Sequence, residues 1–97
     1  MKKYFFLFVT LAFVASACQK RPDPCFTYTS TPGNLAVSFS NCSENAVNYM
    51  WNYGDGTYSD TPSPTHTYDT TGTYQVTLQA TASNDVFEEE TQTVVVE

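Results

Sequence analysis

"WNYGDGTYSD", residues 51–60, is the stretch on which the reading of this chain turns. Trp51 and Tyr53 stand two apart, so on a strand they share one face. Gly54-Asp55-Gly56 is too glycine-rich to continue that strand and reads as a tight turn. Either Asp55 and Asp60 are carboxylates gathered for a cation, or the loop is a turn hung behind a core tryptophan. Ca²⁺ takes about six to eight oxygens, usually from several carboxylates, and no Asp-x-Asp-x-Asp series occurs in the chain. Asp55 between glycines is therefore read as a turn residue whose carboxylate caps neighbouring N–H groups. No metal and no cofactor are expected.

Outward from this stretch the residues alternate. "VNYMWNY" offers Val47, Tyr49, Trp51 and Tyr53 at period two, and "TYQVTLQATA" sets Tyr74, Val76, Leu78 and Ala80 against Thr and Gln. "CFTYTS", "LAVSFSNC" and "TQTVVVE" add three further alternating or β-branched runs. Five strands rich in Thr, Tyr and Val indicate an all-β antiparallel sandwich. Pro32-Gly33-Asn34 and Asn84-Asp85 are turn signals. Pro62 and Pro64 exclude a central strand between Asp60 and His66. With Gly33 and Asn34 as the central turn residues of the first hairpin, Tyr28 faces Phe39, Phe26 faces Asn41, and Cys25 faces Cys42. Cysteines opposite each other on paired strands can bridge, and the bond would contribute about 3 kcal/mol in the chain-entropy model.

Charge narrows the partners. Lys2, Lys3, Lys20 and Arg21 are the only Lys and Arg residues, while all ten acids lie from Asp23 onward. A surface without cations cannot neutralise phosphates, which argues against nucleic acid and against the domain lying on anionic lipid. Salt bridges within the domain are not expected from this composition.

The first 17 residues read as a signal peptide: Lys2 and Lys3, an apolar run from Tyr4 to Val14, then small residues. The run is shorter than the ~20 apolar residues needed to span a bilayer. "VASAC", residues 14–18, resembles a bacterial lipobox, with Ala15 where such boxes usually carry Leu; Ala15-Ser16-Ala17 also fits the A-x-A site of ordinary secretion. The three cysteines favour the lipobox, because a lipidated Cys18 leaves the even pair Cys25 and Cys42. Residues 18–24 then form the lipidated Cys and a short tether with two prolines, and residues 25–97 the domain. Gln19 is not the Asp that holds enteric lipoproteins in the inner membrane, which by resemblance points to the outer membrane.

Three motifs in order carry a more specific likeness. Trp51-Asn52-Tyr53-Gly54-Asp55-Gly56, Ser63-Pro64-Thr65-His66-Thr67-Tyr68 and Gly72-Thr73-Tyr74-Gln75-Val76-Thr77-Leu78 resemble the W-D-F-G-D-G, N-P-x-H-x-Y and G-x-Y-x-V-x-L signatures of the PKD (polycystic-kidney-disease) domain. The resemblance covers residues 25–97 and implies an immunoglobulin-like β-sandwich. In such a fold Trp51 is the core centrepiece, and Tyr74 stands where a tyrosine corner is found. Val76 occupies the strand position of the second immunoglobulin cysteine, so Cys25 and Cys42 serve another purpose. Asn52 replaces the family's Asp and removes one carboxylate. His66, the only histidine, belongs by resemblance to the structural H-x-Y motif.

Catalysis needs a base, an orienting partner and a pocket, and only the first has a candidate here, so no enzyme is expected. Tyr58 and Phe87, beside loops, are candidates for stacking on sugar rings. Glu88–Glu90 reads as a solvated strand edge that discourages pairing with other sheets. Asp69-Thr70-Thr71 resembles the Asp-Thr-x acceptor of protein O-glycosylation in some Bacteroidota, and Asn41-Cys42-Ser43 fits the N-x-S sequon. PKD domains in bacterial proteins are usually accessory modules. The expectation is a lipid-anchored binding or adhesion module of the cell envelope engaging a protein or polysaccharide, the alternative a spacer or accessory subunit without a ligand.

Overall fold

Alternating apolar and hydroxyl side chains build two antiparallel sheets. The computed structural model describes residues 21–97; the expected signal peptide, the Cys18 attachment point and the first tether residues lie outside the described residues. The strands are β1 (Phe26–Thr29), β2 (Ala36–Asn41), β3 (Asn48–Asn52), β4 (Tyr58–Ser59), β5 (Thr65–Thr67), β6 (Gly72–Thr81) and β7 (Phe87–Val96). One sheet runs β1-β2-β5 and the other β4-β3-β6-β7. Among the described residues there is no helix.

The inner faces meet in an aromatic core. Trp51 is fully buried, with Phe26 edge-on at 4.9 Å and Phe39 tilted at 5.1 Å between ring centroids. Both phenylalanines come from the three-stranded sheet, so one tryptophan holds the two layers together, as aromatic pairs at these separations do. Its Nε1–H donates to the Thr61 carbonyl at 2.9 Å, which satisfies the one polar atom it brings inside. Val37, Val76, Leu78, Val94 and Val96 complete the filling. The alternation on β6 is strict: Val76, Leu78 and Ala80 are buried between partly or fully exposed neighbours.

Cys25 and Cys42 are joined by a disulfide with Cα atoms 4.9 Å apart, beyond the end of a ladder that sets Phe26 opposite Asn41 and Tyr28 opposite Phe39. The connection itself differs from a Gly33-Asn34 turn. Asn34 N–H donates to Thr31 O at 3.0 Å, which makes Pro32 and Gly33 the central residues, with Gly33 at φ 85°. Pro then glycine at positive φ is the chemistry of a type II turn. Asn34 Oδ1 accepts from Ala36 N–H, so the residues after the turn are used before the strand starts and the register is the same.

Other expectations need correction. Among the described residues there are seven strands, not five: β4 and β5 are two and three residues long, too short for periodicity to reveal. β5 follows Pro64 directly and lies at a sheet edge, where the preceding proline costs no ladder bond. The last strand begins at Phe87 and includes Glu88–Glu90. Val47 does not share the core face; it precedes β3 and is 60% exposed. Arg21 and Asp23, expected in the tether, contact the domain through the Arg21–Glu88 ion pair and a two-way backbone bridge between Asp23 and Glu44.

Where β1 and β7 approach, side chains close the sandwich. Tyr28 OH and Ser30 Oγ donate to the Thr93 and Val95 carbonyls at 3.3 and 3.0 Å. Gln92 Nε2 donates to Phe26 O at 2.7 Å, and Gly33 N–H to Glu97 O at 2.6 Å. Edge groups of both sheets are thereby satisfied without a strand between them.

Candidate functional site

The opening loop resolves into a closed polar cluster. Tyr53 N–H donates to Thr57 O at 3.2 Å, closing the turn. Gly54 and Gly56 both take positive φ, 81° and 91°. Gly54 has a second constraint, since a Cβ there would lie 2.5 Å from the Gln75 carbonyl oxygen of β6. Asp55 Oδ1 accepts from the Thr57 N–H at 3.0 Å and from the Thr57 hydroxyl. Its Oδ2 lies 2.8 Å from His66 Nε2; an ionised carboxylate only accepts, so Nε2 carries the proton. The expectation of a domain without salt bridges counted only Lys and Arg and left out His66, whose ring nitrogen meets the Asp55 carboxylate here.

The imidazole lies flat on Tyr53, with centroids 3.9 Å apart and planes 2° from parallel, and edge-on to Tyr68 at 4.5 Å. Tyr68 is buried and donates to Tyr53 O at 2.9 Å, and it stacks on Tyr74 at 4.1 Å. Tyr74 OH donates to Thr70 O at 2.8 Å and lies 3.2 Å from the Thr70 hydroxyl. Burial opposes ionisation of Asp55, but hydrogen bonds from Thr57 and His66 outweigh it and hold the carboxyl below its ordinary range. Burial pushes both Tyr53 and Tyr68 up, and the Asp55 charge adds to each. The groups that could act as acid, base or ligand here are engaged with one another. Among the described residues no three His, Cys, Asp or Glu side chains are grouped to hold a metal ion.

Open chemistry lies instead on the outer face of the four-stranded sheet. Tyr58 pairs with Asn52, Asn52 with Thr77, and Thr77 with Thr91; in the next row Met50 pairs with Gln79 and Gln79 with Glu89. These residues alternate with buried Trp51 and Leu78, so their side chains point outward. Met50, Asn52, Tyr58, Thr77, Gln79 and Glu89 line a depression of about 280 Å³. Tyr58 is 64% exposed and Met50 42%. Phe87 is exposed on the same face but belongs to the row of Thr81 and Asn48, roughly 20 Å from Tyr58 by strand spacing. Both stand beside loops, as the first residues of β4 and β7, and the fold does not bring them together. Met50, Asn52, Thr77, Gln79 and Glu89 were missed as candidates, although outward alternation opposite Trp51 and Leu78 marks the β3 and β6 positions. The missing information was the register among β3, β6 and β7.

A second depression of about 510 Å³ lies along the β1–β7 seam, lined by Tyr28, Ser30, Pro32, Val95 and Glu97 among others. Its Tyr28 and Ser30 hydroxyls are already bound to β7.

A two-layer antiparallel sandwich with a central tryptophan, a tyrosine bonded four residues back and an internal Asp–His pair defines an immunoglobulin-like module. The model of the PKD domain family matches residues 23–97, and the chain belongs to that family. The PKD1 domain of the Vibrio cholerae metalloprotease PrtV superposes with TM-score 0.75 at 30% identity, over 80% of this chain and 99% of that one. The PKD1 domain of Vibrio anguillarum Epp gives 0.74, also at 30% identity, over 80% and 95%. A structure described as showing the promiscuous specificity of carbohydrate-binding modules of the β-sandwich superfamily gives 0.72 at 28% identity, over 79% of this chain and 34% of that one. A microbial collagenase of Vibrio alginolyticus is 34% identical over 82 residues, which are 77% of this chain and 10% of the collagenase. The chain thus spans about a tenth of the length of that relative. PKD domains in such proteases are non-catalytic accessory modules.

Proposed function

We propose that this protein is a non-enzymatic binding module, carried on a lipid at Cys18 in the outer membrane of a bacterium, Bacteroidota being the group its Asp69-Thr70-Thr71 recommends, and engaging a protein or polysaccharide partner. The observation that carries the binding role is the contrast between two regions. The Gly54–Gly56 loop satisfies its own polar groups, whereas the outer sheet face presents an exposed tyrosine beside amides and a carboxylate. The likeness to proteins described as carbohydrate-binding modules supports the same reading. The cation-free sequence from residue 22 to 97 disfavours nucleic acid and anionic membrane surfaces as partners. The other reading is a spacer of an envelope assembly. It draws support from the β1–β7 seam and the disulfide, which secure the terminal strands of the domain.

Two measurements test this. Membrane fractionation of cells carrying Cys18→Ala is expected to show the protein released, and unchanged membrane association contradicts the anchor. Glycan arrays and cross-linking on the purified protein are expected to capture a partner; capture of nothing favours the spacer.

A further inference from the structure

We infer that the outer face of the four-stranded sheet, at Met50, Asn52, Tyr58, Gln79 and Glu89, is a binding site for a neutral polysaccharide. The inference rests on the binding-module reading and supplies the site and the ligand class. The lining decides the class. A sugar ring offers an apolar C–H face and a rim of hydroxyls. Tyr58, exposed at the edge strand β4, offers an aromatic ring for the first. The Gln79 amide both donates and accepts, the Asn52 amide donates through Nδ2 while its Oδ1 accepts from Gly54 N–H at 3.0 Å, and the Glu89 carboxylate accepts, which suits hydroxyls that do both.

The hydrogen bonds on this face leave one pair of side chains open. Gln75, beyond the depression, donates to Thr93 at 2.9 Å, and at the depression itself the Thr77 and Thr91 hydroxyls are 2.8 Å apart. Among the described residues the Gln79 amide and the Glu89 carboxylate, opposite each other on β6 and β7, have no such partner. They stand within the depression that also holds Tyr58 and Met50. Backbone ladders on both sides of β6 fix their spacing, so little order is lost when a ligand settles across the strands.

Charge and polarity disfavour anionic glycans and a protein interface. Glu89 lies within the site, residues 22–97 contain no Lys or Arg, and Arg21 is taken up by Glu88, so uronates, sulfates and phosphates meet a like charge there. Tyr58 and Met50 are its only large apolar groups, too little for the buried apolar centre on which protein interfaces depend.

The test is retention of the purified full-length protein on cellulose, mannan and starch, with polygalacturonate and chitosan as anionic and cationic comparisons. Retention is expected on at least one neutral polysaccharide. Tyr58→Ala and Gln79→Ala each should weaken it roughly tenfold, the scale of losing one central contact. Tyr58→Phe, which keeps the ring, should retain most of the binding. Val95→Thr, on the same face but outside the depression, should change nothing. Melting curves of every variant confirm that the fold persists. Retention on polygalacturonate or chitosan alone overturns the ligand class, and neutral binding indifferent to Tyr58→Ala and Gln79→Ala overturns the site. A protein cross-linked through this face overturns the polysaccharide while leaving the binding-module reading intact. Capture of no partner of any kind defeats that reading and the inference together.

Discussion

Asp55 carries more interactions than any other carboxylate of the loop, and its titration gives them a measurable consequence. Held below its ordinary value of 3.8 by Thr57 and His66, it stabilises the folded state fully at pH above that value. The contribution is lost as pH falls through the lower, folded value. Acid melting curves should therefore show Asp55→Asn less stable than the parent near neutrality, by about 1–2 kcal/mol for a lost charged hydrogen bond. The gap should narrow as pH falls below 4. A gap constant from neutrality to strong acid contradicts the assignment. The turn role of Asp55 was legible in the sequence, because glycines flank it. Its pairing with His66 was not. The two are eleven residues apart, and they meet only because β5 passes over the loop and His66 lies flat on Tyr53.

At the scale of elements, the two loop glycines separate two physical effects. Both sit at positive φ, but only Gly54 is pressed against a neighbouring backbone. Gly56→Ala should cost about 1–2 kcal/mol, the left-handed backbone penalty alone. Gly54→Ala should cost more, about 3 kcal/mol or above, since β6 must also move. Equal costs in denaturant titrations contradict the close approach to Gln75. The Cys25–Cys42 bond closes the first hairpin. Reducing it should lower stability by roughly 3 kcal/mol, about 12–24 °C in melting temperature for a domain this small; an unchanged melt after reduction contradicts it. The long strands were readable because alternation in β2, β3 and β6 sets Val37, Phe39, Trp51, Val76 and Leu78 on inner faces. β4 and β5 escaped because two or three residues cannot show a period. The first hairpin gave the right register through the wrong turn: the residues after Pro32-Gly33 take up the difference through Asn34.

For the whole molecule, the sandwich ties the polar groups of its Gly54–Gly56 loop to one another and closes its β1–β7 edge with side-chain bonds, leaving one sheet face open. The face was only partly legible. Tyr58 stood out as an aromatic among polar residues, but its neighbours Gln79 and Glu89 come from strands far along the chain and assemble only through sheet register. Phe87 stood out equally and proves to lie at the opposite corner. The central claim is that this face, and not the Gly54–Gly56 loop, meets the ligand. Amide chemical-shift mapping by NMR, titrating the labelled protein with a soluble neutral oligosaccharide, tests it most directly. The account predicts shifts concentrated at Met50, Asn52, Tyr58, Gln79 and Glu89, reaching Gly54 only through its bond to Asn52 Oδ1, with Asp55, Gly56 and His66 unmoved. Shifts centred on Gly54, Asp55 and His66, or no shifts at saturating oligosaccharide, would contradict it.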